Sequence, residues 1–237
     1  MSPSPRPEHR ATANPHRPPR TVSPGWPEIG IGLLTYLLIL GPLIVWLAAS
    51  AGHATASRGN VGGAVNGIAG IAALLAASAW RVRTLSAFGF RATGRRWLAC
   101  GAGLGLLAFG LSFLIEGVYF HFIDEANTQA DFQVAAKGGA LSLAMLILTG
   151  GILTPLGEEF LFRGVIASAL KRYGAWVCIT ASSLIFAASH GPSVIFLLAF
   201  MVGMQAAWLF FRTDSLWPGV VLHIVYNSLH LLYYATL

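Results

Sequence analysis

Residues 29–51 read IGIGLLTYLLILGPLIVWLAASA, twenty-three positions without a charged side chain. A run of about 20 apolar residues is the length a helix needs to span a hydrocarbon core. Working outward from it, further apolar runs occupy about 61–80, 97–120, 140–162, 175–190, 194–211 and 217–236. With the first run they make seven spans, so the expected fold is all-α, a polytopic transmembrane helical bundle. Composition agrees. Of 237 residues, 55% are hydrophobic and 10% charged, against roughly 25% charged in soluble domains.

The first run is followed by Ala49-Ser50-Ala51 and Ala54-Thr55-Ala56, both of the A-x-A form of a signal-peptide cleavage site. A signal h-region is about 7–15 residues. The longer run here is expected to remain as an uncleaved first helix. Residues 1–28, rich in Pro, Ser and Arg, have no apolar periodicity, and read as a disordered basic cytoplasmic tail. Residues 29–237 form the transmembrane domain.

Distributing Lys and Arg on alternate sides of seven spans puts Arg6, Arg10, Arg17, Arg20, Arg81, Arg83, Arg91, Arg95, Arg96, Arg163, Lys171, Arg172 and Arg212 on one side. Arg58 and Lys137 fall on the other. The positive-inside rule then sets the N-terminus in the cytoplasm, in a multi-pass protein of the cell membrane. The Gly- and Ala-rich second run is the least apolar, and the charge asymmetry requires it. The net charge of +6 follows from these loops and the tail, so nucleic acid is not an expected partner. The loop arginines read as topology determinants and lipid-phosphate contacts, and the tryptophans near span ends as interfacial anchors. Cys100 and Cys178 lie within apolar runs without metal-ligand spacing, and the loop His121–Gly139 is long enough for an interfacial helix.

Ionisable groups inside a bilayer are costly, and each is a functional candidate. Three clusters stand out. In Glu158-Glu159-Phe160-Leu161-Phe162-Arg163, Glu159 and Arg163 are i, i+4 neighbours able to pair. Glu158 lies about 100° further round the helix, free to face another element. Phe186 and His190 share a helix face, as do His223 and Asn227 in the last span. Glu158 and His190 are each sixteen positions from Gly174, so in a hairpin turning there both stand about 24 Å from the turn. His223 stands only about 13 Å beyond a turn near Asp214, and a tilted or broken helix is required to bring it level. His230 is expected to be a helix–helix hydrogen bonder, and Glu116 an interfacial or paired carboxylate.

The order EExxxR, FxxxH, HxxxN over roughly the last 100 residues, about 140–237, resembles the CPBP family, the CAAX-protease and bacteriocin-processing intramembrane endopeptidases. The resemblance implies that Glu158 activates water and His190 positions it. His223 and Asn227 would stabilise the oxyanion, while Glu159 and Arg163 support the site. It implies a peptide or protein substrate, with lipid-anchored ones among the candidates, and membrane lipids as surroundings. The family's eukaryotic substrate type is a prenylated CAAX peptide; a bacterial relative could instead mature a pheromone, a bacteriocin leader or another membrane protein. Glu158, His190 and His223 would also serve as a zinc set, as in a metalloprotease. HExxH is absent and Asn227 is an unusual ligand, so the expected cofactor is none, with Zn2+ the alternative. A proton-coupled transporter or a non-catalytic immunity protein are the competing functions; neither explains all three spacings together.

Overall fold

The computed structural model describes residues 22–50 and 55–237, and no strand occurs among the described residues. The helices are α1 (Trp26–Ala49), α2 (Ala56–Trp80), α3 (Arg95–Phe122), a short α4 (Ala130–Ala136), α5 (Ala140–Tyr173), α6 (Ala175–Ala188), α7 (Val194–Thr213) and α8 (Trp217–Tyr234). Five of them, α1, α2, α3, α5 and α7, are long and apolar enough to cross a membrane. The other two expected spans are α6, apolar but only 14 residues long, and α8, whose 18 residues are interrupted by His223, Asn227 and His230. The seven apolar runs therefore correspond to these seven helices. In α1, Leu37, Leu38 and Val45 are each at least 60% exposed. An apolar outer face of this kind suits lipid.

Helix polarity sorts the connections onto two ends of the bundle. Arg81, the loop 84–94, Lys171, Arg172 and Arg212 gather at one end, with Arg58, α4 and Lys137 at the other. Arg163 departs from the expected distribution. It is buried inside the bundle, because Glu159 draws it into an internal ion pair, and it is not a loop charge. The tail is also shorter than residue 28. Gly25 N–H donates to Glu28 at 2.7 Å, and Arg81 grips the same buried carboxylate through Nε at 3.0 Å and Nη2 at 2.8 Å. That cap starts α1 at Trp26. The tail up to residue 21, and the Ala51 and Ala54 positions of the A-x-A sequences, lie outside the described residues.

The Gly-rich second run earns its place through close packing. A Cβ at Gly70 would stand 2.1 Å from the Gly157 carbonyl oxygen, and one at Gly157 2.1 Å from the Gly67 carbonyl oxygen. Only hydrogen fits between these backbones, the small-residue packing common between membrane helices. We expect Gly70→Ala to pry α2 from α5, destabilising the fold by about 1–3 kcal/mol. Thermal unfolding in detergent reads this directly; an unchanged midpoint would show the contact to be slack.

Candidate active site

α5 is not a regular helix. It widens into π-turns at Ile147–Leu153 and Phe160–Ala167, flanking the regular segment Thr154–Glu159. Wide turns of this kind are frequent at functional sites. They advance less per residue than an α-helix, which draws Glu158 down toward Gly174. At the other hairpin, Ser215 and Leu216 are buried. Leu216 N–H donates to the Gly89 carbonyl at 2.9 Å and Ser215 Oγ to that of Arg91 at 2.7 Å. α8 thus starts beneath the 84–91 loop, and both features help bring His223 level with Glu158.

Gly174, at φ +92°, joins α5 to α6 directly, a conformation that glycine adopts at little steric cost. The resulting hairpin faces His190 toward Glu158, with Nε2 and Oε1 3.9 Å apart. His223 Nε2 stands 3.5 Å from the other oxygen, Oε2. Both imidazoles are fixed through their opposite nitrogen. His190 Nδ1 lies 3.0 Å from the Phe186 carbonyl oxygen, and His223 Nδ1 3.0 Å from Glu159 Oε1. Each partner is an acceptor, so Nδ1 carries the proton in both rings and both Nε2 atoms are turned to Glu158.

Glu159 and Arg163 form the layer beneath. Nη1 and Oε1 are 3.1 Å apart but off the hydrogen-bond axis, an ion pair without a straight hydrogen bond. Arg163 Nη2 donates to the Gly203 carbonyl at 3.0 Å, and its guanidinium lies 4.7 Å from the centre of the Phe186 ring. Phe186 also packs edge-on against Phe162, His190 and His223, with ring centres at 5.0, 4.9 and 5.7 Å. The phenylalanine of FxxxH is thus the wall on which both imidazoles rest.

Above Glu158 a cavity with about 230 Å³ of room for water-sized groups runs past Asn66, His190, His223 and Asn227 to Gln129 and Phe132. Asn227 Nδ2 donates to the Gly150 carbonyl at 3.1 Å, within the first π-turn segment, leaving its second N–H. His230 lines the same cavity, and its Nε2 lies 3.0 Å from Ser112 Oγ of α3, the helix–helix bond expected of it. Glu116 is not among the residues lining this cavity.

Residues 140–229 match the family model described as type II CAAX prenyl endopeptidase, Rce1-like. All three motifs fall within that segment. This segment is similar to the CAAX endopeptidase family. The chain is also 28% identical over 134 residues to "Putative membrane peptidase YdiL" of Bacillus subtilis, an alignment covering 56% of this chain and 53% of that protein. The chain thus spans about half the length of the curated relative it matches. No solved structure matches at the same stringency.

One member of the candidate site lies outside the matched segment. Asn66 of α2 donates through Nδ2 to Glu158 Oε1 at 2.8 Å and accepts from the Tyr36 hydroxyl at 2.6 Å. Sequence reading passed over Asn66 because a carboxamide carries no charge, although an amide amid glycines and alanines in a span is itself a polar residue in lipid. The zinc alternative fits less well. A zinc ion requires ligand atoms converging about 2 Å from one point. Among the described residues no three His, Cys, Asp or Glu side chains do so, and Asn66 already occupies the Glu158 oxygen nearest His190.

Proposed function

We propose that the protein is an intramembrane endopeptidase of CAAX type in which Glu158 activates a water molecule. The observation that carries the reading is the convergence of two fixed imidazole Nε2 atoms and one amide on a single buried carboxylate. At 3.9 Å, His190 Nε2 and Glu158 Oε1 are too far apart for a hydrogen bond, but a bridging water fits such a gap. That water would donate one hydrogen to each and aim its oxygen lone pair into the cavity.

As Glu158 takes one proton, the oxygen attacks the scissile carbonyl carbon and the carbonyl electron pair becomes an oxyanion. His223 is suited to receive it. With Nδ1 held on Glu159, its imidazolium form presents Nε2–H, and Glu158, Glu159, Arg163 and His223 then sum to zero charge. A neutral set is the favourable one where charge is poorly solvated. Asn227, one helical turn on, supplies a further N–H. Collapse breaks the C–N bond and Glu158 returns its proton to the leaving amine; the new carboxylic acid then yields the water's second proton, so the products are a carboxylate and an ammonium. Fixed donors aimed at developing charge gain strength in such a site.

The test is cleavage of a fluorogenic peptide library by the purified protein in detergent, with and without chelator. Cleavage that survives the chelator supports the reading. Complete inhibition reversed by zinc would overturn the metal-free mechanism, and absence of cleavage across the library would overturn the peptidase assignment.

Asn66 is a positioning residue in this scheme, holding Glu158 in the rotamer that faces both imidazoles. A hydrogen bond to a charged group is worth about 1.5–3 kcal/mol. Asn66→Leu should therefore lower kcat by roughly tenfold or more, with KM little changed. Tyr36→Phe should have a smaller effect in the same direction. A purely structural role would instead lower the melting temperature and leave kcat per folded molecule intact, an outcome that would remove Asn66 from the mechanism.

A further inference from the structure

We infer that a second cavity, at the end of the bundle where Arg81, Lys171, Arg172 and Arg212 gather, binds the phosphate of an anionic phospholipid headgroup. It is distinct from the cavity beside Glu158 and does not depend on the peptidase reading.

This cavity has about 440 Å³ of room for water-sized groups, against about 230 Å³ beside Glu158. Its walls come from four parts of the chain: the segment 22–24 before α1, the loop 84–91, the end of α5 and the end of α7. Three cations, Arg91, Lys171 and Arg172, line it against one carboxylate, Asp214. Lys171 pairs with Asp214, so the two guanidiniums carry the excess positive charge.

Both guanidiniums are held in place without being neutralised. Arg91 Nε donates to the Ser86 carbonyl at 2.8 Å. Arg172 donates through Nε to the Ala169 carbonyl at 3.1 Å and through Nη2 to the Pro24 carbonyl at 2.6 Å. Among the described residues no carboxylate pairs with either one, whereas their neighbour Arg81 is neutralised by Glu28. Thr84 and Ser86 add hydroxyls to the wall. Fixed guanidinium forks are the groups best matched to phosphate oxygens.

The surroundings favour a lipid over a soluble phosphate. Trp26 Nε1 donates to the Tyr173 hydroxyl at 3.0 Å, and the Arg172 guanidinium lies 5.7 Å from the centre of the Tyr173 ring. Trp26 and Trp176 are largely exposed, and such aromatic residues collect at the level of the headgroups. Val22 on the cavity wall and Leu85 beside Thr84 are also exposed, offering apolar surface to acyl chains. Basic pockets between membrane helices recognise headgroups in this way. An occupant would tie the end of α5 to the loop 84–91, whose Gly89 and Arg91 carbonyls hold the start of α8. Binding should therefore stabilise the fold.

The experiment adds short-chain phosphatidylglycerol to the full chain in neutral detergent and reads both binding and the melting temperature. Saturating lipid should raise the midpoint by about 2–4 °C. Phosphatidylcholine of the same chain length should bind at least about tenfold more weakly. Arg91→Gln combined with Arg172→Gln should abolish that preference. Arg83→Gln combined with Arg212→Gln should keep it, since both are exposed and neither lines the cavity. Equal loss in the two double variants would reduce the site to diffuse surface charge and overturn the inference, as would equal binding of the two lipids. Inorganic phosphate that protects as well as phosphatidylglycerol would overturn the lipid assignment in favour of a soluble phosphate. Should the arginine variants fold poorly, Ser86→Glu keeps every guanidinium and adds a carboxylate to the wall. It should block the lipid, and undiminished binding there would be equally fatal. None of these readouts depends on cleavage, so a protein that binds as expected but cleaves nothing would defeat the peptidase reading and leave the lipid site standing.

Discussion

Glu158→Gln should abolish peptide cleavage, lowering kcat by on the order of 10²–10⁴-fold, the range a positioned general base contributes. The substitution is nearly isosteric, and its amide oxygen can still accept from Asn66 Nδ2, which approaches Glu158 at 2.8 Å. The fold should therefore persist with little change in melting temperature. What disappears is the capacity to take a proton from the proposed bridging water. His190→Ala should also lose cleavage, by removing the second acceptor of that water. Wild-type turnover by Glu158→Gln in a correctly folded sample would overturn the assigned role, whatever the fate of other variants.

Arg163→Ala should be the most destabilising single change in the core. It leaves Glu159, fully buried, without its guanidinium partner, and breaking a buried pair in this way costs about 3–5 kcal/mol. It also removes the bond to the Gly203 carbonyl and the contact with Phe186. The double variant Glu159→Gln with Arg163→Met separates charge from catalysis. Both charges go together and much of the volume stays, so stability should recover toward that of the wild type. Activity should not recover, because His223 Nδ1 has lost the carboxylate 3.0 Å away. Unfolding midpoints and kcat measured on the same preparations decide it. Full activity in the double variant would reduce the Glu159–Arg163 layer to scaffolding.

Much of the site was legible because lipid makes polarity conspicuous. Glu158, Glu159, Arg163, His190, His223 and Asn227 stand out against apolar surroundings, and helical periodicity assigns Glu159 to Arg163 before any coordinates, where the pair measures 3.1 Å. The hairpin arithmetic about Gly174 likewise brings His190 to Glu158. The height of His223 was not legible. It depends on π-turns in α5 and on a buried turn at Ser215–Leu216, neither of which has a periodic signature. Asn66 escaped because its partner is 92 positions away and nothing in the local pattern names it.

Composition and periodicity, acting locally, determined the helical class, the number of apolar runs, the sorting of cations and the polar residues available. Each is a property of a short segment in contact with lipid or water. Tertiary structure alone decided that Arg163 belongs to the core, that glycines of α2 admit the backbone of α5, and that Tyr36 and Asn66 reach Glu158. These outcomes depend on how distant helices meet at separations of a few ångströms, where a single methyl group fits or does not.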